Sequence, residues 1–360
     1  MKSRKLLWLG ILLPVSAAIL GACQNLLVPK YMGRVIEGAF IREYYEETEP
    51  HDVIFLGDCE AYENVSPIVL WREYGITSFI RGSAQQLIPQ SYYLLEDTLT
   101  YETPAVVVLS VSAMQQYEQD NETYNRMTLD GMRWSASKVN AIRESMTEDE
   151  HMIEYVFPIL RFHSRWRELE EDDFTYFLER REVTHSGYYM RADIRPAGEF
   201  PAERRRSTYA FDDRAWAYLD KIRLLCREKG ITLILMKAPS LYPAWHEQWD
   251  QQIRDYAKEH QLLYVNCIDR SEDIGIDFTV DTYDGGLHMN VYGAEKTARY
   301  LGKILAELPA AKDRREADGG GPVNRVWEEK CRFYDQMKAA QEAEFEELGY
   351  LRQFAEEPAD

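Results

Sequence analysis

Basic side chains are scarce in this chain of 360 residues: 42 lysines and arginines stand against 61 aspartates and glutamates, a formal charge of −19. Binding to nucleic acid needs a basic footprint that displaces counterions, so the balance argues against that class of partner. Cysteine is scarce as well. Cys23, Cys59, Cys226, Cys267 and Cys331 show no metal-ligand spacing and are too few for a disulfide scaffold. One bridge, Cys226 to Cys267, is conceivable in an exported chain. No metal or cofactor is read from the sequence. Long apolar runs are confined to the first thirty residues, and no amphipathic apolar helix stands out beyond them, which argues against a lipase working at a membrane surface. What remains is 45% hydrophobic, enough for a well-cored domain.

The apolar run extends from Leu6 to Val28, preceded by Lys2, Arg4 and Lys5 and interrupted only by small residues, Pro14, Gln24 and Asn25. Roughly 20 apolar residues span a bilayer. Residues 1–28 are therefore read as a transmembrane signal anchor, and the positive charges before it place the rest of the chain outside the cytoplasm. A cleaved signal peptide is the competing reading. Leu20-Gly21-Ala22-Cys23 also resembles a bacterial lipobox, which makes Cys23 a lipidated N-terminus after cleavage. All three readings export the domain.

Beyond the anchor, short apolar runs alternate with helical periodicity. Val53 to Leu56, Ser78 to Ile80, Ala105 to Val111, Ile231 to Met236 and Leu262 to Val265 read as strands. Between them lie helices opened by Ser66-Pro67 and running over Leu87 to Tyr101, Trp216 to Arg227, Trp245 to His260 and Asn290 to Leu305. Such alternation predicts an α/β fold, a three-layer α/β/α sandwich around a mainly parallel sheet, whose ligands bind at the carboxyl ends of the strands. The pattern fails at about 115–208, where aromatics, charge and helical runs at Val139 to Met146 and Met152 to Glu170 suggest a largely helical insertion. It forms either a cap over the site or a packing decoration. Within it, Arg204-Arg205-Arg206 reads as a solvated loop. Residues 29–310 thus form one domain with an insertion, and 311–360 a linker around Arg314 to Gly321 followed by a charged helix from about Val323 to Phe354.

Two blocks carry the chemistry. Phe55-Leu56-Gly57-Asp58-Cys59-Glu60 puts a thiol on the turn after the first strand, and Asp284-Gly285-Gly286-Leu287-His288-Met289-Asn290 returns an acid and a histidine before the last helix. A thiol needs a base to take its proton, and the base needs a carboxylate to fix its tautomer. Asp284 is nearest to His288, while Asp281 reaches the imidazole instead if Gly285-Gly286 forms a loop. Arg81 at the end of the second strand is a candidate counter-charge for a thiolate flanked by Asp58 and Glu60. Gln85 is a candidate pocket donor. Lys237, at the end of a buried strand, is either a cation for a substrate phosphate or carboxylate or one half of a salt bridge. Asn64-Val65-Ser66 matches a glycosylation pattern by chance.

From Val53 to Leu308 the chain resembles the SGNH/GDSL hydrolase superfamily, whose first block has Gly-Asp-Ser and whose last has Asp-x-x-His. Two departures stand out: Cys59 replaces the serine, and Asp284 precedes His288 by four residues instead of three. The resemblance implies Cys59 as nucleophile, His288 as base, and oxyanion donors at Cys59 and Gly82. The family's third donor, an asparagine, is missing, and Ser112 is the substitute candidate. The glutamate after the nucleophile and the single anchor look most like the D-alanyl transfer protein of teichoic-acid modification, with alginate-type O-acetyltransferases close behind. The resemblance thus implies a membrane-anchored acyltransferase or esterase of the cell envelope, acting on acyl groups of a surface polysaccharide or teichoic-type polymer, with an integral-membrane acyl-transfer protein as a possible partner. A catalytically inactive scaffold on the same fold is the alternative.

Overall fold

The computed structural model describes residues 2–29, 40–118, 121–178, 182–198, 208–315 and 321–354. Each expected strand forms: β1 Val53–Gly57, β2 Ser78–Gly82, β3 Val106–Ser110, β4 Thr232–Lys237 and β5 Leu263–Asn266. They make one sheet in the order β2-β1-β3-β4-β5, and every pair is parallel. Before the sheet come α1 Lys2–Leu27 and α2 Phe40–Glu43. The helices α3 Cys59–Tyr62, α4 Pro67–Tyr74 and α5 Ile88–Thr98 follow the first two strands. The inserted region holds α6 Glu122–Leu129, α7 Ala136–Ser145, α8 Met152–Val156, α9 Ile159–Phe162 and α10 Glu171–Leu178. The rest are α11 Asp213–Lys229, α12 Glu247–His260, α13 Ser271–Ile274, α14 Val291–Ala306 and α15 Pro322–Leu348.

Alternation along the strands divides the core in two. Val53, Phe55, Ile80, Val106 and Val108 pack with α4, α14 and α15 on one face; Ile54, Leu56, Phe79, Val107 and Leu109 pack with α5, α11 and α12 on the other. Each such side chain contributes about 1.5–3 kcal/mol on burial, so the three layers hold as one unit. Because β2 and β3 flank β1 on opposite sides, the winding direction reverses there and opens a crevice at the carboxyl ends of β1 and β3.

The conceivable bridge between Cys226 and Cys267 does not form. Both are buried and free, one in each core, with the sheet between them. The helix expected over Met152 to Glu170 is broken at Pro158, which lacks the amide for a continuous ladder, and it ends in a 3-10 turn at His163–Arg167. The helical part of the inserted region packs on α5 through α7 and on α1 through α9 and α10. Arg165 Nη1 donates to the Leu27 carbonyl at 2.8 Å. The returning segment, from Thr184 to Arg195, touches the loops that carry the site, with Tyr189 N donating to Tyr62 O and Arg195 N to Thr282 O, and α6 reaches the loop after β2 through a hydrogen bond between Thr128 and Ser83. Arg204-Arg205-Arg206 lies outside the described residues. At the tail, α15 stops at Gly349, whose φ of 77° ends the helix, and its Trp327 stacks on Trp71 of α4. In α1, the stretch Gly10–Leu27 is long and apolar enough to cross a membrane and is almost wholly exposed.

Candidate active site

The turn that carries Cys59 is built by close backbone approach. At Gly57 the chain adopts φ +149°, and a Cβ there would lie 2.6 Å from the Cβ of Ser110 on β3, so only glycine fits. Asp58 then caps the four-residue helix α3, its Oδ1 accepting from Glu60 N at 3.2 Å, and Cys59 takes the first helical position, half-buried. Gly82 stands in register with Gly57 on β2; a Cβ on it would meet the Gly57 carbonyl at 3.0 Å.

The second block folds back because Gly285 and Gly286 both adopt left-handed φ values, 86° and 108°. This return lets Asp284 Oδ1 accept from the amides of Leu287 at 3.1 Å and His288 at 2.9 Å, while Oδ2 sits 2.7 Å from His288 Nδ1. Burial alone would raise the Asp284 pKa, but the bonds and charge of His288 outweigh it and hold the carboxyl below its ordinary range. Asp281, the alternative acid, is turned away: its Oδ2 accepts from Lys296 Nζ at 2.6 Å and Asp277 N at 2.7 Å. The two blocks are tied by Asn64, whose Oδ1 accepts from Met289 N at 2.7 Å. Asn64 is fully buried, which closes it to glycosylation.

Sequence reasoning missed a second carboxylate at the base. Glu63, one helical turn beyond Cys59, places Oε2 3.3 Å from His288 Nδ1 and accepts a hydrogen bond from the Tyr283 hydroxyl. The Tyr283 ring stacks beside the imidazole with 6.1 Å between centroids, and the Arg191 guanidinium lies over the Tyr283 ring at 4.1 Å. The signal available was the four-residue spacing from Cys59, which puts position 63 on the nucleophile's side of any helix.

With Nδ1 engaged twice, Nε2 is the nitrogen left for chemistry; it is buried, and among the described residues no partner meets strict hydrogen-bond geometry, while the imidazole and the Cys59 thiol act on each other's charge. Its neighbour is Cys59, whose pKa burial pushes up to about 12 against the lowering influence of His288, with Asp58 adding to the rise. Burial would lower the His288 pKa, but the charges of Glu63 and Cys59 and the Asp284 bond carry it well above the usual imidazole value. Glu63 is itself raised by burial. Glu63 and His288 therefore titrate as an interacting pair, with the Glu63 charge favouring the protonated imidazole. Removing the Glu63 charge lowers the His288 pKa, so neutral imidazole persists to lower pH. We expect Glu63→Gln to move the acidic limb of the kcat/KM profile for an ester substrate to lower pH; an unmoved limb would exclude this coupling.

Of three expected contributors, Arg81 lies elsewhere, while Lys237 and Ser112 reach the carboxyl end of the sheet and are engaged by carboxylates there. Arg81 is fully buried under α5, where its guanidinium donates to Asp97 Oδ2 at 3.1 Å, Leu94 O at 2.9 Å, Thr98 Oγ1 at 2.8 Å and Tyr45 Oη at 3.0 Å. It faces the core opposite the nucleophile's helix, because alternation on β2 sends it to the Phe79 side. Lys237 does reach the carboxyl end of the sheet, but Glu60 takes both of its sides at 2.7 and 2.8 Å, and Ser240 Oγ adds a third contact at 2.9 Å. Its charge anchors the residue beside the nucleophile. Ser112 donates to Asp58 Oδ1 at 2.7 Å and meets Ser110 Oγ at 2.7 Å, so its hydroxyl orients the capping carboxylate and not an oxyanion. Burial and the Glu60 charge raise that carboxyl to about 6. Gln85 sits half-buried on the loop after β2 with φ 50°, a left-handed backbone unusual outside glycine.

No protein-family model matches the chain, and no curated protein matches it. Among solved structures it is similar to a Bacteroides fragilis NCTC 9343 protein assigned as an acylhydrolase, at 11% identity over 73% of this chain and 93% of the other, with a TM-score of 0.36. It is similar also to a GDSL-like lipase of Bacteroides thetaiotaomicron VPI-5482, at 12% identity over 74% of this chain and 97% of the other, with a TM-score of 0.35.

Proposed function

We propose that the protein is an acyl-transfer enzyme of the esterase or acyltransferase type, held at a membrane by α1 and acting on acyl groups of an extracytoplasmic polysaccharide or teichoic-type polymer. One observation carries the reading: His288 is held at Nδ1 by Asp284 at 2.7 Å, which leaves its buried Nε2 for the thiol of Cys59 at the end of β1, with which it interacts. The polymer substrate and the tether rest on the resemblance of the two sequence blocks and on the apolar character of α1.

Cys59 Sγ attacks the carbonyl carbon of the acyl ester while its proton passes to His288 Nε2. The carbonyl electron pair moves to oxygen, and the N–H groups at the end of β1 and β2 are the nearest candidates to receive that charge. Collapse expels the leaving alkoxide, which takes the proton back from Nε2 and departs as an alcohol, leaving a thioester on Cys59. A second hydroxyl, from water or from an acceptor sugar, gives its proton to Nε2 and attacks the thioester, and the thiol is restored. Asp284 keeps the imidazole oriented through both halves.

A scaffold on the same fold is favoured by two observations. The thiol is pushed up to about 12, and Ser112 is committed to Asp58. Turnover of a small activated ester by the full chain, with and without a polyol acceptor, separates these readings. Release of acid alone marks an esterase, appearance of acylated polyol marks a transferase, and no turnover by folded, reduced protein rejects the enzyme in favour of the scaffold.

A further inference from the structure

A cavity of about 370 Å³ lies where α1 meets the inserted helices, with no catalytic residue in its wall. Its charge is opposite to that of the chain. Arg42, Arg126, Lys138 and Arg161 line it against two acids, Glu122 and Asp130. Arg126 of α6 is only 6% exposed, and although Nε donates to Glu122 at 2.8 Å, neither Nη1 nor Nη2 has a hydrogen-bond partner among the described residues. The nearest approach of Nη1 to a carboxylate is 3.5 Å, to Asp130 Oδ1, outside hydrogen-bonding geometry. The Arg126 charge is balanced by Glu122 and Asp130 and lies over the Tyr155 and Phe162 rings, but burying two N–H-bearing nitrogens without a hydrogen bond is costly, and their place in a cavity wall suits an acceptor.

The surroundings identify the acceptor's source. Gln24, Asn25 and Val28, at the end of α1, form part of the cavity wall. The neighbouring helices that pack on α1 expose large apolar side chains to solvent, among them Leu160, Trp166 at 62% and Leu178 at 78%. Exposed aromatics and aliphatics grouped around the foot of an apolar helix belong at a membrane interface, the depth at which phospholipid headgroups lie. We propose that this cavity receives the phosphate headgroup of an anionic bilayer lipid, with the Nη1 and Nη2 atoms of Arg126 bonding phosphate oxygens, while Arg161, paired with Glu122, and Arg42, bonded to Tyr176, add positive charge at the wall. The proposal rests on the membrane-tether part of the proposed function and extends it to a specific site. The cavity also lies one helix away from the reaction: Thr128 of α6 hydrogen-bonds Ser83, the residue after Gly82. Lipid bound there holds the carboxyl end of the sheet toward the membrane.

Native mass spectrometry of the full chain released from a phosphate-free maltoside detergent tests the site. Dioleoyl phosphatidylglycerol, dioleoylglycerol and inorganic phosphate are the probes. We expect one retained phosphatidylglycerol, no retained dioleoylglycerol, and binding at least about tenfold weaker in Arg126→Met, the consequence of losing charge-assisted hydrogen bonds. Arg161→Gln, at a partly exposed rim position, repeats the measurement should Arg126→Met fail to fold, and a several-fold loss is expected there. Equal retention of dioleoylglycerol, or unchanged affinity in a folded variant, overturns the proposal. Inorganic phosphate binding as tightly as the lipid overturns the bilayer source in favour of a soluble phosphate. Carbonate extraction of cell membranes keeps the two readings apart: a chain that washes off refutes the tether, whereas one that stays but retains no lipid refutes only the site.

Discussion

Replacing His288 with alanine is expected to reduce acyl turnover by a factor on the order of 10⁴ or more while leaving the melting transition in place, since the imidazole is the base for both half-reactions. Asp284→Asn should fall nearly as far. Its Oδ2 is the contact that presents Nδ1 with a fixed acceptor, and an amide turned the wrong way offers a donor instead and misorients the ring. Stopped assays on both variants, with circular dichroism to verify folding, check this. A variant that keeps more than a tenth of the native rate would remove His288 from the mechanism.

The second large effect is on stability. Lys237 and Glu60 form an ion pair with side chains 2% and 9% exposed, in the layer just beneath the nucleophile. Lys237→Met leaves the Glu60 carboxylate buried without its partner, a change that costs about 3–5 kcal/mol in comparable buried pairs. Because Glu60 immediately follows Cys59 and its amide binds Asp58, the damage should also displace the thiol. Chemical denaturation measures the loss. The double variant Glu60→Met with Lys237→Met should regain most of the stability, since two apolar residues of similar volume remove the uncompensated charge. A single variant as stable as the native chain would contradict the pairing.

Both predictions trace back to features that differ in how far a linear sequence exposes them. The strands and closing helix were legible because local periodicity decides them: Val106–Ser110 and Val291–Ala306 fall within a residue or two of their expected bounds. Cys59 and His288 were legible as blocks of contiguous residues. The choice between Asp284 and Asp281 was not, because it depends on two left-handed glycines that turn a four-residue spacing into a closed loop. Arg81 was misplaced for a reason the sequence did contain: counted by alternation from Phe79, it belongs to the face under α5. Lys237 and Ser112 point to the right end of the sheet, but their partners, Glu60 and Asp58, come from 177 and 54 residues away. The inserted region was illegible beyond its helical character, since α7 takes its position from α5, α9 and α10 take theirs from α1, and α6 and α8 pack on these in turn, none of which their own pattern specifies.

The central claim is a nucleophile at Cys59 served by His288. Intact-mass analysis of the full chain after exposure to a small activated acyl ester tests it most directly, with Cys59→Ala and His288→Ala in parallel. The account predicts one acyl adduct on the wild type, removable by hydroxylamine as a thioester is, and none on either variant. An adduct of equal extent on His288→Ala, or none on folded and reduced wild-type protein, would contradict it.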